Sequence, residues 1–82
     1  MRRIYLTILY VGKRMDEIAR VCEGIMRKDR SFRWAEKGDT ILIFSEDKDT
    51  AYKRGGWFYY HYGVKYSVRV FTEEAFGRWL RE

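Results

Sequence analysis

With one cysteine and one histidine in 82 residues, the chain forms no internal disulfide and lacks the ligand set of a structural zinc site. A domain this small has a thin stability margin, so a partner chain is a natural expectation from the outset. Seventeen Lys and Arg against twelve Asp and Glu give a net charge of +5, which attracts polyanions.

"IYLTILYV" is too short and tyrosine-rich for a secretory leader, and no run approaches the ~20 apolar residues of a membrane span. The expectation is a single cytoplasmic domain over residues 1–82, with no membrane contact. Asn, Gln and Pro are absent while Arg, Lys and Glu abound, a composition resembling that of proteins from very hot environments.

Arg3 to Val11 alternates, with Ile4, Leu6, Ile8 and Tyr10 on one side and Tyr5, Thr7, Leu9 and Val11 on the other. Both sides are apolar, which predicts a central strand. From Met15 to Lys28 the period changes to that of an amphipathic helix, with Ile18, Val21, Cys22, Ile25 and Met26 as its stripe. Asp16–Arg20 and Glu23–Arg27 stand at ion-pair spacing on it. Cys22 lies within the stripe and reads as core.

"SFRWAEKGDTILIFS" predicts a hairpin turning at "EKGD". Ser45 then reads as the N-cap of a second helix, followed by Glu46 and Asp47, with Gly63 as its stop. Ala51, Gly55, Phe58 and Tyr62 share one face of that helix. The rival reading breaks it at Gly55-Gly56 and makes Trp57 to Tyr62 a strand. Val64 to Phe71 alternates as a last strand, with Val64, Tyr66, Val68 and Val70 inward. Thr72 caps a closing helix whose apolar side is Phe76, Trp79 and Leu80.

The order β-α-β-β-α-β-α predicts an α+β, ferredoxin-like split βαβ fold. It has a four-stranded antiparallel sheet with two helices on one face. Residues 1–71 form the core and 72–82 an added C-terminal helix. The reading of the sheet's open face gives it Tyr5, Thr7, Leu9, Ile41 and Ile43 with Arg33, Lys65, Ser67 and Arg69. Arg2, Arg3 and Lys37 lie at its edges.

Nucleophile elbow, P-loop and HExxH motifs are all missing, and His61 is isolated among aromatics. The acidic run Glu46 to Asp49 fits a helix start better than a metal site. No catalytic residue, cofactor or metal is therefore expected. Nucleic-acid contact is expected at Arg2, Arg3, Tyr5, Arg33, Lys37, Lys65 and Arg69, because bases stack on rings and phosphates require cations. Protein contact is expected at Lys53, Arg54, Trp57, Tyr60 and His61, on the outer side of the second helix.

Two stretches carry family resemblances. "IYLTIL" (Ile4 to Leu9) and "KGDTILIF" (Lys37 to Phe44) resemble the first- and third-strand motifs of RNA recognition motifs. Lys37, Gly38, Leu42 and Phe44 match, Ile8 departs, and Asp39 and Ile41 stand where two stacking rings belong. This resemblance implies a sheet that binds RNA, with Tyr5 as its stacking ring. "DTAYKRGGWFYY" (Asp49 to Tyr60) looks like the helix start of the small dimerisation subunit of KEOPS, a tRNA-modifying complex. Arg54 and Gly55 carry the match, and the final strand and helix depart from it.

The first resemblance favours a basic, non-enzymatic module that contacts RNA or another nucleic acid within a larger assembly. The second implies an accessory scaffold subunit that forms a homodimer or docks on a partner enzyme. A small viral or plasmid-encoded regulator shares these features.

Overall fold

The computed structural model describes residues 2–82. Strand β1 (Arg3–Tyr10) leads through a single 3-10 turn (Gly12–Arg14) into α1 (Met15–Lys28). The hairpin β2 (Arg33–Lys37) and β3 (Thr40–Ser45) follows. Helix α2 (Lys48–Tyr62), strand β4 (Lys65–Thr72) and helix α3 (Glu73–Leu80) complete the chain. The strands lie in the order β2-β3-β1-β4, every pair antiparallel. This is the expected ferredoxin-like arrangement, with the strand that is apolar on both sides next to the centre. No helix among the described residues is long and apolar enough to cross a membrane.

Local chemistry sets the boundaries. The β2–β3 turn holds Gly38 at φ +60°, a left-handed conformation that glycine adopts freely. Helix α2 is continuous through Gly55 and Gly56, which resolves the helix-or-strand alternative for residues 57–62. Gly63 ends it at φ +65°, its N–H reaching the carbonyls of the last turn. The N-cap is Asp47, not Ser45: the Asp47 carboxylate accepts from the Thr50 N–H at 2.8 Å. That bond holds the Asp47 carboxyl below its ordinary range. Thr72 closes β4 and caps α3, its hydroxyl oxygen accepting from the Ala75 N–H at 3.1 Å.

Helices α1 and α2 cover one face of the sheet. Leu9, Ile41 and Ile43 pack there against Ile18, Cys22 and Phe58. Thr7 is wholly buried on the same side, and its hydroxyl donates to the Ala51 carbonyl at 2.7 Å. That bond satisfies the hydroxyl and brings α2 close to the sheet. Gly55 explains half of the double glycine, since a Cβ there would overlap the Tyr66 ring, which lies against the helix backbone.

The ion pairs expected along α1 are not formed. Arg14 holds Glu17 at 2.9 Å instead, and Arg14 Nη1 also donates to the Tyr62 carbonyl, linking the start of α1 to the end of α2. The second ion pair among the described residues is Glu74–Arg78 on α3.

Candidate nucleic-acid interface

Strand pairing determines which residues share the face away from α1 and α2. Lys37, Thr40, Tyr10 and Lys65 form one row across all four strands. Ala35, Leu42, Ile8 and Ser67 form the next, and Arg33, Phe44, Leu6 and Arg69 the third. The edge strands therefore supply the cations and the two central strands the apolar strip.

The expected face was half right. Arg33, Lys37, Lys65, Ser67 and Arg69 do lie on it. Tyr5, Thr7, Leu9, Ile41 and Ile43 do not, because Thr7 stands opposite both Ile43 and Val68 and all three face the helices. Tyr5, paired with Val70, shares that helix-side parity, so it is not a ring on the outer face. Tyr10 is the exposed ring there, 52% accessible, with its hydroxyl 2.7 Å from the Ser67 hydroxyl.

Helix α3 lies over the middle of this face. Phe76 and Trp79 pack on Leu6, Ile8, Leu42 and Phe71, with Ile4 and Phe44 at the margin. Phe76 meets Phe44 edge-on at 5.8 Å and Phe71 at 5.7 Å. Cations reach in from both edge strands to the Trp79 indole, Lys37 Nζ at 4.8 Å and the Arg69 guanidinium at 5.9 Å. Both contacts lie within cation–π range. Arg69 also stacks on Phe71 at 4.5 Å. Arg2 and Arg3 are exposed at the start of β1, with Arg3 opposite Thr72. The cations and ring that remain open are thus Arg2, Arg3, Tyr10, Lys65 and Arg33, plus the outer sides of Lys37 and Arg69.

The outer surface of α2 has two sides. Tyr52, Tyr59 and Tyr60 are exposed, Tyr60 the most at 84%. Lys53, Trp57 and His61 follow one another at four-residue spacing, and the Trp57 and His61 rings stand 4.6 Å apart. Arg54 is committed to the fold. Its Nη1 donates to the Phe44 carbonyl at 2.9 Å and the Ser45 hydroxyl at 3.0 Å, over the Phe32 ring. It ties α2 to the end of β3, and its place in the middle of the helix gave no sign of that bond.

Two clefts meet at the corner where α1 passes to β2; Arg33, Lys53, Arg54 and Trp57 of their linings are among the expected contact residues, whereas Arg27, Arg30 and Phe32 are not. The first, about 660 Å³, is lined by Met26, Arg27, Arg30, Phe32 and Arg33. The second, about 380 Å³, runs between α1 and α2 and includes Ile25, Asp29, Phe32, Lys53 and Trp57. The sequence signal was the run "RKDRSFR", Arg27 to Arg33, in which cations recur every third residue around one buried ring.

Burial pushes the Cys22 thiol up to about 12, with Glu23 adding to the shift, so at neutral pH it is a protonated thiol inside the core. Among the described residues, no group of three His, Cys, Asp or Glu side chains gathers in one place. In the comparisons with known proteins, no family model, no curated protein and no solved structure matches this chain.

Proposed function

We propose that this protein is a non-enzymatic module that binds single-stranded nucleic acid, RNA in the first instance, within a larger assembly. One observation carries the reading. Among the described residues, which include all seventeen Lys and Arg, only Arg14 and Arg78 have a carboxylate within ion-pair distance. The positive charge is therefore not used up in internal pairing and remains available to phosphates. Exposed rings beside these cations, Tyr10 next to Lys65 and Trp57 next to Lys53, supply faces on which bases stack whatever their sequence.

The test is a titration with single-stranded RNA at several salt concentrations. Affinity is expected to fall steeply and log-linearly with salt. An absence of binding at low salt overturns the reading.

A second reading, a scaffold contact with a protein partner or a second copy, draws on Tyr52, Tyr59 and Tyr60, which the fold leaves uncovered along α2. Aromatic side chains of this kind anchor interfaces. Replacing Tyr59 and Tyr60 with Ala and measuring mass in solution tests it, and a wild-type chain that is monomeric at every concentration removes its homodimer form.

A further inference from the structure

We infer that the paired clefts at the α1–β2 corner form a nucleotide-binding track, with successive backbone phosphates held by Arg27, Arg30 and Arg33 and an adjoining base stacked on Trp57. The inference rests on the nucleic-acid reading above and assigns it to a place the sheet does not provide. The centre of the outer sheet face is occupied by α3, with Lys37 and Arg69 drawn onto Trp79. The corner clefts are open and carry both chemistries that a strand requires.

The local fold explains how three arginines come to line one cleft. Helix α1 ends at Lys28, and Asp29 turns extended, at φ −130° and ψ 100°. The Asp29 carboxylate accepts from both the N–H and the hydroxyl of Ser31, at 3.0 and 2.6 Å, and the Phe32 N–H donates to the Asp29 carbonyl at 3.0 Å. This tight turn drives Phe32 into the core, where it is only 3% exposed. Arg27, Arg30 and Arg33 are exposed around it, none with an acidic partner among the described residues. A guanidinium offers a planar fork that pairs with two oxygens of a phosphate or a carboxylate, and three of them around one cleft favour a run of anions, such as a nucleic-acid backbone, over a single one.

The second cleft is different in kind. Its wall is Ile25, Phe32, Phe58 and Trp57, an apolar lining suited to a base. Asp29 lines the same cleft, and its hydrogen bonds from Ser31 hold its carboxyl below the ordinary range, so it is ionised at neutral pH. That charge offsets one of the two cations, Lys53 and Arg54, that line the same cleft, and Arg54 is already bonded to the end of β3, so the surplus of positive charge lies with the three arginines of the other cleft. Phe32 is common to both linings, so the two clefts adjoin.

The test compares two triple variants of equal charge. Arg27→Gln with Arg30→Gln and Arg33→Gln removes the cleft cations. Lys13→Gln with Arg20→Gln and Arg81→Gln removes three exposed cations from elsewhere. Both are expected to keep the wild-type melting curve, since the substituted side chains are exposed.

The probes are a labelled single-stranded RNA of about 12 nucleotides and inorganic polyphosphate, which has the charge without the bases. The cleft triple is expected to weaken both at least tenfold more than the control triple does, and to lower the salt slope by about 2, roughly 0.7 per lost phosphate contact. Trp57→Ala is expected to weaken RNA about tenfold while leaving polyphosphate and the salt slope unchanged. Equal losses from the two triples would overturn the track, as would a Trp57→Ala variant that weakens both probes alike. If wild-type protein fails to bind RNA at about 50 mM salt, the nucleic-acid reading itself falls.

Discussion

On one side of the sheet, Leu9, Ile41 and Ile43 are wholly buried beneath two long helices, whose own Ile18, Cys22 and Phe58 are as deeply buried. On the other side, Leu6 and Leu42 are equally covered, but by the eight residues of α3, none of which is itself buried. The first face is an interlocked core, in which both layers lose their water. The second is a cover laid on a strip, held by rings that keep one side in solvent and by two cations from the sheet edges. Burial of the underlying strand is similar on both sides, yet the stabilisation is not, because on the cover side only one layer gives up all its exposed surface.

The largest effects should separate the faces directly. Phe58→Ala removes a ring 1% exposed from the helix side and is expected to cost about 3–5 kcal/mol. Phe76→Ala removes a half-buried ring from the cover and is expected to cost about half of that. Denaturant melts of the two variants check the ratio. If Phe76→Ala matches or exceeds Phe58→Ala, α3 belongs to the core and the contrast fails.

Deleting residues 73–82 sharpens the same point. Leu6, Leu42, Phe44 and Phe71 then form a continuous apolar patch between the basic edges, and such patches draw in partners. The shortened chain is expected to stay folded, to melt earlier than the full chain, and to associate in light scattering. A monomer with an unchanged melt means that α3 contributes nothing to the sheet.

The next effect lies within α2, where two neighbouring glycines have different reasons to be there. At Gly55 an added methyl group overlaps the Tyr66 ring, and Gly55→Ala is expected to cost about 1–3 kcal/mol as ring and helix move apart. At Gly56 the nearest atom to such a methyl is the Tyr66 hydroxyl oxygen at 4.0 Å, an ordinary contact. Gly56→Ala is expected to stabilise the helix by about 1 kcal/mol, the difference in helix propensity. Thermal melts of the pair check the sign. Two destabilised variants would show that the sheet approaches α2 more closely along its whole length.

Periodicity made the element order legible, and the caps at Gly63 and Thr72 could be read from single residues. The facing of the central strands could not. β1 is apolar on both sides, so its alternation does not indicate which side meets the helices. A one-residue change of parity then moved Tyr5 off the outer face and put Tyr10 on it. Arg33, Lys65 and Arg69 were placed correctly because Arg33 stands between the rings of Phe32 and Trp34, and Lys65 to Val70 alternates polar and apolar. Arg54 reads from the sequence as a surface cation; its bonds to Phe44 and Ser45 join positions about ten residues apart, which only the folded backbone brings together. The corner clefts were missed for the same reason, since Trp57 on α2 and Arg30 in the turn after α1 line two clefts that share only Phe32.

The smallest expected effect, a labelling rate that does not change, tests whether the two faces open independently. Cys22 lies in the helix-side core, fully buried, and its thiol is pushed from an ordinary value of 9.0 up to about 12. Below pH 9 the thiol is protonated in both folded and unfolded chains and contributes nothing to the pH dependence. Above pH 9 the unfolded chain releases the proton while the folded chain retains it, so stability falls as pH rises towards 12, by about 1.4 kcal/mol per unit. The measurement is the difference in slope between wild type and Cys22→Ala, which is expected to lose stability less steeply. A thiol reagent applied at pH 8 supplies the second reading. If the faces are independent, Cys22 labels through a local opening of its own face, and deleting residues 73–82 leaves its labelling rate unchanged even though the shortened chain melts earlier, because α3 covers only the opposite side of the sheet. A truncated chain that labels much faster would show that removing the cover loosens the core as well, and the two faces would then open as one unit.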